Sequence, residues 1–366
     1  MSLTWSEALS WRLRRQFLDP VGSGSVADVV RRLGAIPAYP DHTAELAIRL
    51  RRADAQPGDV AAALADGEII KTYAFRGATH LLTPEDGGAY LALRAAGRMW
   101  ELPSWQSFYR LPAGEWPDFR KLIRELLTDG PMSRDELAAA ISDNRRFGHL
   151  TSAFDGNDTL IKPLTWQGDI SFGPARDGRA TFQRLDTNPR WAGLPDLDQA
   201  GRRAIETYFR AYGPATPRHV QYWLGEGLGG GRKRIRDWIT DLGDRLAAVR
   251  IDGEPAYLLR EDLDELTATP ATRAVRFLPG YDQWVLGPGT ADPHVVPPAR
   301  RKLVSRKANL VIARGAVSGT WTLAGDEVVV AWFAEAGRVP KAALADETQR
   351  LAEILDKPLR STVETG

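Results

Sequence analysis

Three times along this chain, helical periodicity gives way to a strand pair whose turn carries a glycine: Arg76-Gly77, Asp177-Gly178 and Asp252-Gly253. That recurrence constrains the fold more than any other feature. In the first copy, residues 2–18 place Leu3, Leu9, Leu13 and Phe17 near one stripe, with Arg12, Arg14 and Arg15 off it, which predicts an amphipathic helix. Asp19-Pro20 and Gly22-Ser23-Gly24-Ser25 end it, and Ser25 can cap a second helix over Val26–Leu33. Gly34 to Pro40 contains two prolines, which lack a backbone donor and fix their own φ, so it reads as extended and irregular. Thr43–Arg52 is helical again, with Leu46 and Leu50 on one side and Arg49, Arg51 and Arg52 on the other. A short helix over Asp59–Leu64 and alternating residues over Glu68–Leu82 complete the copy.

The second copy runs through helices at Trp116–Leu127, Ser133–Ile141 (Ser133 as cap, Glu136 at the capping-box position) and Thr159–Leu164, then a hairpin over Asp169–Leu185. The third has helices at Asp198–Tyr212, Arg218–Leu224 after a Thr216 cap, and Arg232–Leu242. A loop at Gly227–Gly231 and a hairpin over Leu246–Leu259 belong to the same copy. Helices followed by a two-stranded wing form the winged-helix pattern, and copies at a spacing of about 75–110 residues suggest tandem small domains. From Arg273 the pattern changes to short β-rich runs: Val275–Leu278, Gln283–Leu286, Asn309–Ile312, Ala316–Leu323 and Glu327–Phe333. Turn signals separate them, which favours a compact β domain, and a last helix covers Lys341–Leu355.

A chain of 366 residues suits such a division. Lys and Arg total 48 against 47 Asp and Glu, a net charge of +1, which excludes a polybasic or acidic-tail protein. It does not exclude nucleic-acid binding, which depends on local charge. There is no Cys, hence no disulfide, thiolate metal site or Cys nucleophile. No apolar run approaches the roughly 20 residues of a membrane span. Met1 to Trp11 has no apolar leader core, so a cytoplasmic protein is expected. The unusual count is Trp, at 12.

Several stretches together resemble the AlkZ/YcaQ-like winged-helix DNA glycosylase family. Phe277-Leu278-Pro279-Gly280-Tyr281-Asp282-Gln283-Trp284-Val285-Leu286-Gly287 resembles its "LPAFDxYLLG" signature. Arg300 to Lys307, Gly315 and Val317-Ser318-Gly319-Thr320-Trp321 continue the match. Phe75-Arg76-Gly77-Ala78-Thr79-His80-Leu81 is similar to the family's "RGTxH" strand, and Ala211 to Pro217 to its "YGPxTP" helix entry. The resemblance implies an α+β fold: three tandem winged-helix domains (1–112, 113–192 and 193–268) followed by a small C-terminal β-barrel with a last helix (269–366), wrapped into a C shape around DNA. It implies monofunctional glycosylases that remove bulky or cationic N7-alkylguanine adducts, some of them opening interstrand crosslinks as antibiotic self-resistance enzymes. The implied partner is double-stranded, alkylated DNA. A monomer is expected, with no metal or organic cofactor and no membrane.

The chain departs from the family at one place. Members carry a catalytic Gln-x-Gln or Gln-x-Asp ahead of "Ala-Glu-Leu-Ala". Here Ala44-Glu45-Leu46-Ala47 anchors that alignment, and Pro37 and Tyr39 stand at the two catalytic positions. An N7-alkylated guanine is already a good leaving group. The site has only to stabilise an oxocarbenium-like sugar and direct a water to C1′. Tyr39, Asp41 and His42 are the local polar candidates. Asp41 can stabilise positive charge, His42 can pass a proton, and Tyr39 can hold a water or stack on a base. The competing reading makes Asp41 or Thr43 a helix cap, His42 an exposed helix-start residue and Tyr39 a packed loop aromatic. With no Cys and no Lys in the segment, water is the expected nucleophile.

For DNA contact, His80 and Arg76 stand on the family-like strand. Pro293 to Gly325 holds Arg300, Arg301, Lys302, Arg306, Lys307 and Arg314 and no acid, a local basic island suited to phosphates. Arg232 and Lys233 open a second cluster at the start of the third copy's recognition helix. Asp282 reads as orienting a neighbouring Arg. Asp41, His42 and Glu45 do not share one helix face and are not read as a metal site. Two other functions fit the same residues: a DNA binder without catalysis, motivated by Pro37, and a drug-sequestering protein, motivated by the tryptophans.

Overall fold

The computed structural model describes residues 3–154 and 160–366. Helix α1 (Trp5–Arg15) starts at Thr4, whose side chain accepts from Glu7 N, and α2 (Val26–Leu33) is capped in the same way by Ser25. A two-residue strand β1 (Ile36–Pro37) leads into α3 (Asp41–Arg49) and α4 (Asp59–Ala65). Strands β2 (Ile70–Tyr73) and β3 (Thr79–Leu82) follow, then α5 (Pro84–Ala95) and α6 (Pro103–Tyr109). The two helices α5 and α6 have no counterpart among the expected elements. Their sequence mixes Gly88, Pro103 and aromatic residues without a clean period.

Next come α7 (Trp116–Leu126), β4 (Met132–Ser133), α8 (Arg134–Ser142) with the expected Ser133–Glu136 capping box, and α9 (Ile161–Trp166). The expected start of α9, Thr159, lies outside the described residues. Strands β5 (Ile170–Arg176) and β6 (Arg179–Arg184) turn at Asp177 and Gly178, both with positive φ. Helix α10 (Leu197–Tyr212) is capped by Asp196, and α11 (Pro217–Val220) by Thr216. Helix α11 runs on into a π-helical turn, Gln221–Glu226. Helix α12 (Arg232–Asp241) and strands β7 (Leu246–Ile251) and β8 (Glu254–Leu259) follow, and their hairpin also turns on two positive-φ residues, Asp252 and Gly253.

While α2, α3 and α4 pack in a separate cluster with Ile36 and Leu81, one continuous apolar core runs from Ala35 to Leu259 through β2 and α5–α12. Trp100 and Trp116 stack within it at 6.0 Å, so they are core residues rather than the walls of a cleft. Two arginines expected on solvent faces are wholly buried instead. Arg12 of α1 donates to the Pro214 carbonyl at 3.1 Å, and Arg51 follows α3 into the interior, because each has a distant acceptor that outbids water.

The C-terminal part corrects two expectations. After α13 (Leu263–Ala268) and β9 (Val275–Leu278), residues Gln283–Leu286 form a helical turn, α14, rather than a strand. The Asp282 side chain accepts from Trp284 N at 2.8 Å, and this local cap overrides the β-favouring side chains. Helix α15 (Arg301–Val304) precedes β10 (Asn309–Ala313), β11 (Ala316–Ala324) and β12 (Glu327–Trp332). Helix α16 (Lys341–Leu355) and β13 (Arg360–Thr365) complete the chain.

The second correction concerns the barrel. The five strands form an open sheet in the order β13-β12-β11-β10-β9, with only β12 and β13 parallel. It does not close because both faces and one edge are already covered. Leu9, Leu13 and Trp284 cover one face, Leu344, Leu351 and Ile354 of α16 cover the other, and Glu347 accepts the Phe277 N–H at the β9 edge. Trp284, Trp321 and Trp332 each donate an indole N–H to a backbone carbonyl there, which accounts for part of the tryptophan count.

Candidate active site

Strand β1 is the edge of a three-stranded sheet in the order β1-β3-β2, which is where a proline without an N–H is tolerated. Its register sets Pro37 opposite His80, and His80 opposite Thr72 on the other side. The segment is fixed by two more bonds: Ala38 N donates to Thr79 O at 2.9 Å, and Thr79 Oγ1 donates to Ala38 O at 2.7 Å. Beyond Ala38 the chain leaves the sheet, and Tyr39 is 76% exposed.

Asp41 is the first residue of α3 and does not cap it; neither does Thr43, which is buried. Asp41 instead meets Lys71 of β2, with Nζ 2.6 and 2.7 Å from its carboxylate oxygens. Lys71 also lies 5.0 Å over the Phe172 ring. His42 is exposed beside it. The structure therefore brings Tyr39, Asp41 and His42 to one exposed edge and sets Pro37 against His80. Lys71 was missed from sequence because its pairing depends on the register of three strands.

His80 is 5% exposed. Its Nδ1 lies 3.0 Å from Ala78 O, an acceptor, so Nδ1 carries the proton and Nε2 the lone pair. Its ring packs on Phe75. Burial holds the imidazole down at about 4, against a smaller opposing effect of the Ala78 carbonyl, so it is neutral at physiological pH. Among the described residues, the buried Thr72 hydroxyl has no hydrogen-bond partner.

Remote motif residues grip the stretch that begins at Gly34 and continues through α3, one at its start and one past the end of α3. Tyr212 donates to Leu33 O at 2.7 Å. Gly34, at φ 76°, has no room for a side chain: a β-carbon would come 2.6 Å from Tyr90 Oη. At the far end, Arg51 binds Asp282 through Nη2–Oδ1 at 2.7 Å and Nη1–Oδ2 at 2.9 Å. The Asp282 reading, an aspartate that orients an arginine, is the arrangement found.

The basic residues divide into free and engaged. Arg76 is exposed, its guanidinium 4.4 Å over the Tyr222 ring, with Nη2 3.4 Å from Tyr222 O. Gly289 lies against that ring, and the neighbouring Thr290 meets Ser305 Oγ at 3.2 Å, so contacts run from Arg76 to the loop after α15. Arg301, Lys302, Arg306 and Lys307 on and after α15 are exposed. None of the four has an ion pair among the described residues. Arg300 is committed: its Nε and Nη2 reach Glu335 at 2.7 and 2.9 Å and it stacks on Phe333. On α12, Arg232 is exposed and Lys233 pairs with Asp237 at 2.6 Å. Among the described residues, no group of three or more His, Asp or Glu stands close enough to hold a metal ion. No helix among them is long and apolar enough to cross a membrane.

The profile of the family described as "DNA glycosylase AlkZ-like" matches residues 30–354, from the helix before this segment to the last turn of α16. The chain belongs to the AlkZ-like DNA glycosylase family. It is thereby an enzyme, a glycosylase. A curated relative, the interstrand DNA cross-link repair glycosylase of Streptomyces sahachiroi, is 34% identical over 359 residues, covering 96% of each chain. The solved structure of Streptomyces sahachiroi DNA glycosylase AlkZ superposes over 100% of both chains with a TM-score of 0.92 at 33% identity.

Proposed function

We propose that this glycosylase excises bulky or cationic N7-alkylguanine adducts, including those of interstrand crosslinks, from double-stranded DNA by water-mediated hydrolysis. The observation that carries the reading is the stretch from Gly34 through α3, held at its start by Tyr212 and beyond the far end of α3 by the Arg51–Asp282 pair, while its exposed edge presents Tyr39, Asp41 and His42. We read the three helix–hairpin units at 1–112, 113–192 and 193–268 as winged helices that present this edge and the α15 cations to one duplex. The name of the relative supports the crosslink substrate, and antibiotic self-resistance is the corresponding role.

In the reaction the C1′–N9 bond breaks and its electron pair goes to the guanine, which discharges the cationic ring. The sugar is left as an oxocarbenium ion. Water attacks C1′ and loses a proton, giving an abasic site and the free N7-alkylguanine. Asp41 stabilises the sugar cation and, with His42, takes up the water's proton. Tyr39 stacks against a base or holds the water. His80, neutral and with its Nε2 lone pair, forms the inner wall.

The test is incubation of the pure protein with duplexes that carry a single N7-methylguanine, a bulky N7 adduct or an N7–N7 crosslink, with alkali cleavage to reveal abasic sites. Abasic product on the bulky adduct or crosslink is expected. No product on any of the three overturns the reading.

A further inference from the structure

Two cations converge on the turn between β2 and β3, and no acid among the described residues pairs with either. A β-carbon on Gly77 would stand 3.8 Å from Lys162 Nζ and 3.9 Å from Arg94 Nη2, and φ 70° reserves the position for glycine. Arg94 comes from the last turn of α5 and Lys162 from α9. Each is held by an aromatic ring: Arg94 lies 4.4 Å over Trp166, and Lys162 lies 5.2 Å over Tyr73. Neither makes an ion pair or a side-chain hydrogen bond among the described residues, and Arg94 Nε is buried without a partner.

Like charges converging in a half-buried place are costly unless an anion joins them. The groups show that strain. Burial lowers the pKa of both, and for Lys162 the neighbouring Arg94 lowers it further. An arginine fork beside a lysine point charge is a pairing that suits phosphate oxygens. Gly77 ends the turn, and His80 stands three residues further on, in β3.

We propose that Arg94 and Lys162, over the Gly77 turn, hold one backbone phosphodiester of the strand that carries the adduct. Arg76, stacked on Tyr222, stands at the rim of the same turn. The site fixes the strand's position relative to the edge at Tyr39 and Asp41. It rests on the reading of this chain as an enzyme acting on duplex DNA.

The test is the salt dependence of binding to a fluorescein-labelled duplex bearing a tetrahydrofuran abasic analogue, which cannot be excised. The double variant Arg94→Gln/Lys162→Gln should bind about ten-fold more weakly, the equivalent of one charge-assisted hydrogen bond. The slope of log K against log salt should fall by about 0.9, one phosphate contact. Arg94→Lys/Lys162→Arg, which keeps both charges, should restore both, and the melting temperature of the double Gln variant should not drop, since it loses two cations that no described residue pairs. A wild-type slope in the folded double Gln variant overturns the site. Should the double Gln variant fold poorly, Lys162→Gln alone decides by the same slope, because its head group only stacks on a ring. A wild-type protein that neither binds nor cleaves any duplex would instead overturn the functional reading on which the site depends.

Discussion

Arg51 and Asp282 lie 231 residues apart and meet in a two-bond ion pair with both side chains fully buried. Arg51 also donates to Ala47 O at 2.9 Å, so it stitches the end of α3 to the sheet domain. Asp282 caps α14 with one of the same oxygens. The candidate edge at Asp41 and His42 is the other end of α3. Its position is therefore set by a motif from the last quarter of the chain.

Breaking this pair from one side leaves a buried charge without a partner. Arg51→Met or Asp282→Leu should each cost about 3–5 kcal/mol of unfolding free energy, while the double replacement should cost less than either. Guanidinium chloride unfolding measures all three. A single-variant loss under about 1 kcal/mol would show that the pair does not hold α3 in place.

At the exposed edge, chemistry and stability should separate. Tyr39, Asp41 and His42 are exposed, so Tyr39→Ala, Asp41→Asn and His42→Ala should alter stability by no more than about 0.5 kcal/mol. Asp41→Asn should lower single-turnover excision by about 10²–10⁴-fold, the range for a general acid–base group. Tyr39→Phe should keep stacking and Tyr39→Ala lose it, at about 1–3 kcal/mol of binding. Full excision by all three variants would place the catalytic group elsewhere.

Much of this was legible in the sequence where the signal is local. Ser25, Ser133 and Thr216 were identified as caps because a cap is a short-range hydrogen bond, and the Asp-Gly turns because positive φ selects those residues. What failed was non-local. Arg12 and Arg51 look like surface charges until their acceptors, 202 and 231 residues away, are in place. The barrel expectation failed because closure depends on what covers the β9 edge, and Glu347 gives no sign of that role in its own neighbourhood. At the candidate site, alignment to a motif points to Pro37 and Tyr39, and Asp41 and His42 follow only as their polar neighbours, but Lys71, Arg94 and Lys162 are assembled from separate strands and helices.

The basic island is not uniform, and its members should behave differently. Arg300 is already matched by Glu335, so Arg300→Ala should leave the salt slope of duplex binding nearly unchanged. Arg306→Ala and Lys307→Ala remove free cations, and each that contacts a phosphate should lower the slope by about 0.9. Titration of duplex binding against salt for the three variants checks this. Equal slopes in all three would show that α15 faces away from DNA.

His80 should make the fold sensitive to acid in a defined window. Its folded pKa is about 4, below the ordinary 6.5, so the unfolded chain binds more protons between those values. The stability it supports is complete above pH 6.5 and is lost as the pH falls toward 4, by up to about 3 kcal/mol. His219, also held down at about 4 by burial, adds a similar loss in the wild type and in any His80 variant. The comparison that isolates His80 is therefore wild type against His80→Asn, whose amide can still donate to Ala78 O. The stability gap between the two should narrow as pH falls from 7 to 4, as measured by denaturant unfolding. If the two curves run parallel, His80 is not a buried neutral imidazole, and its place as the inner wall opposite Pro37 fails with it.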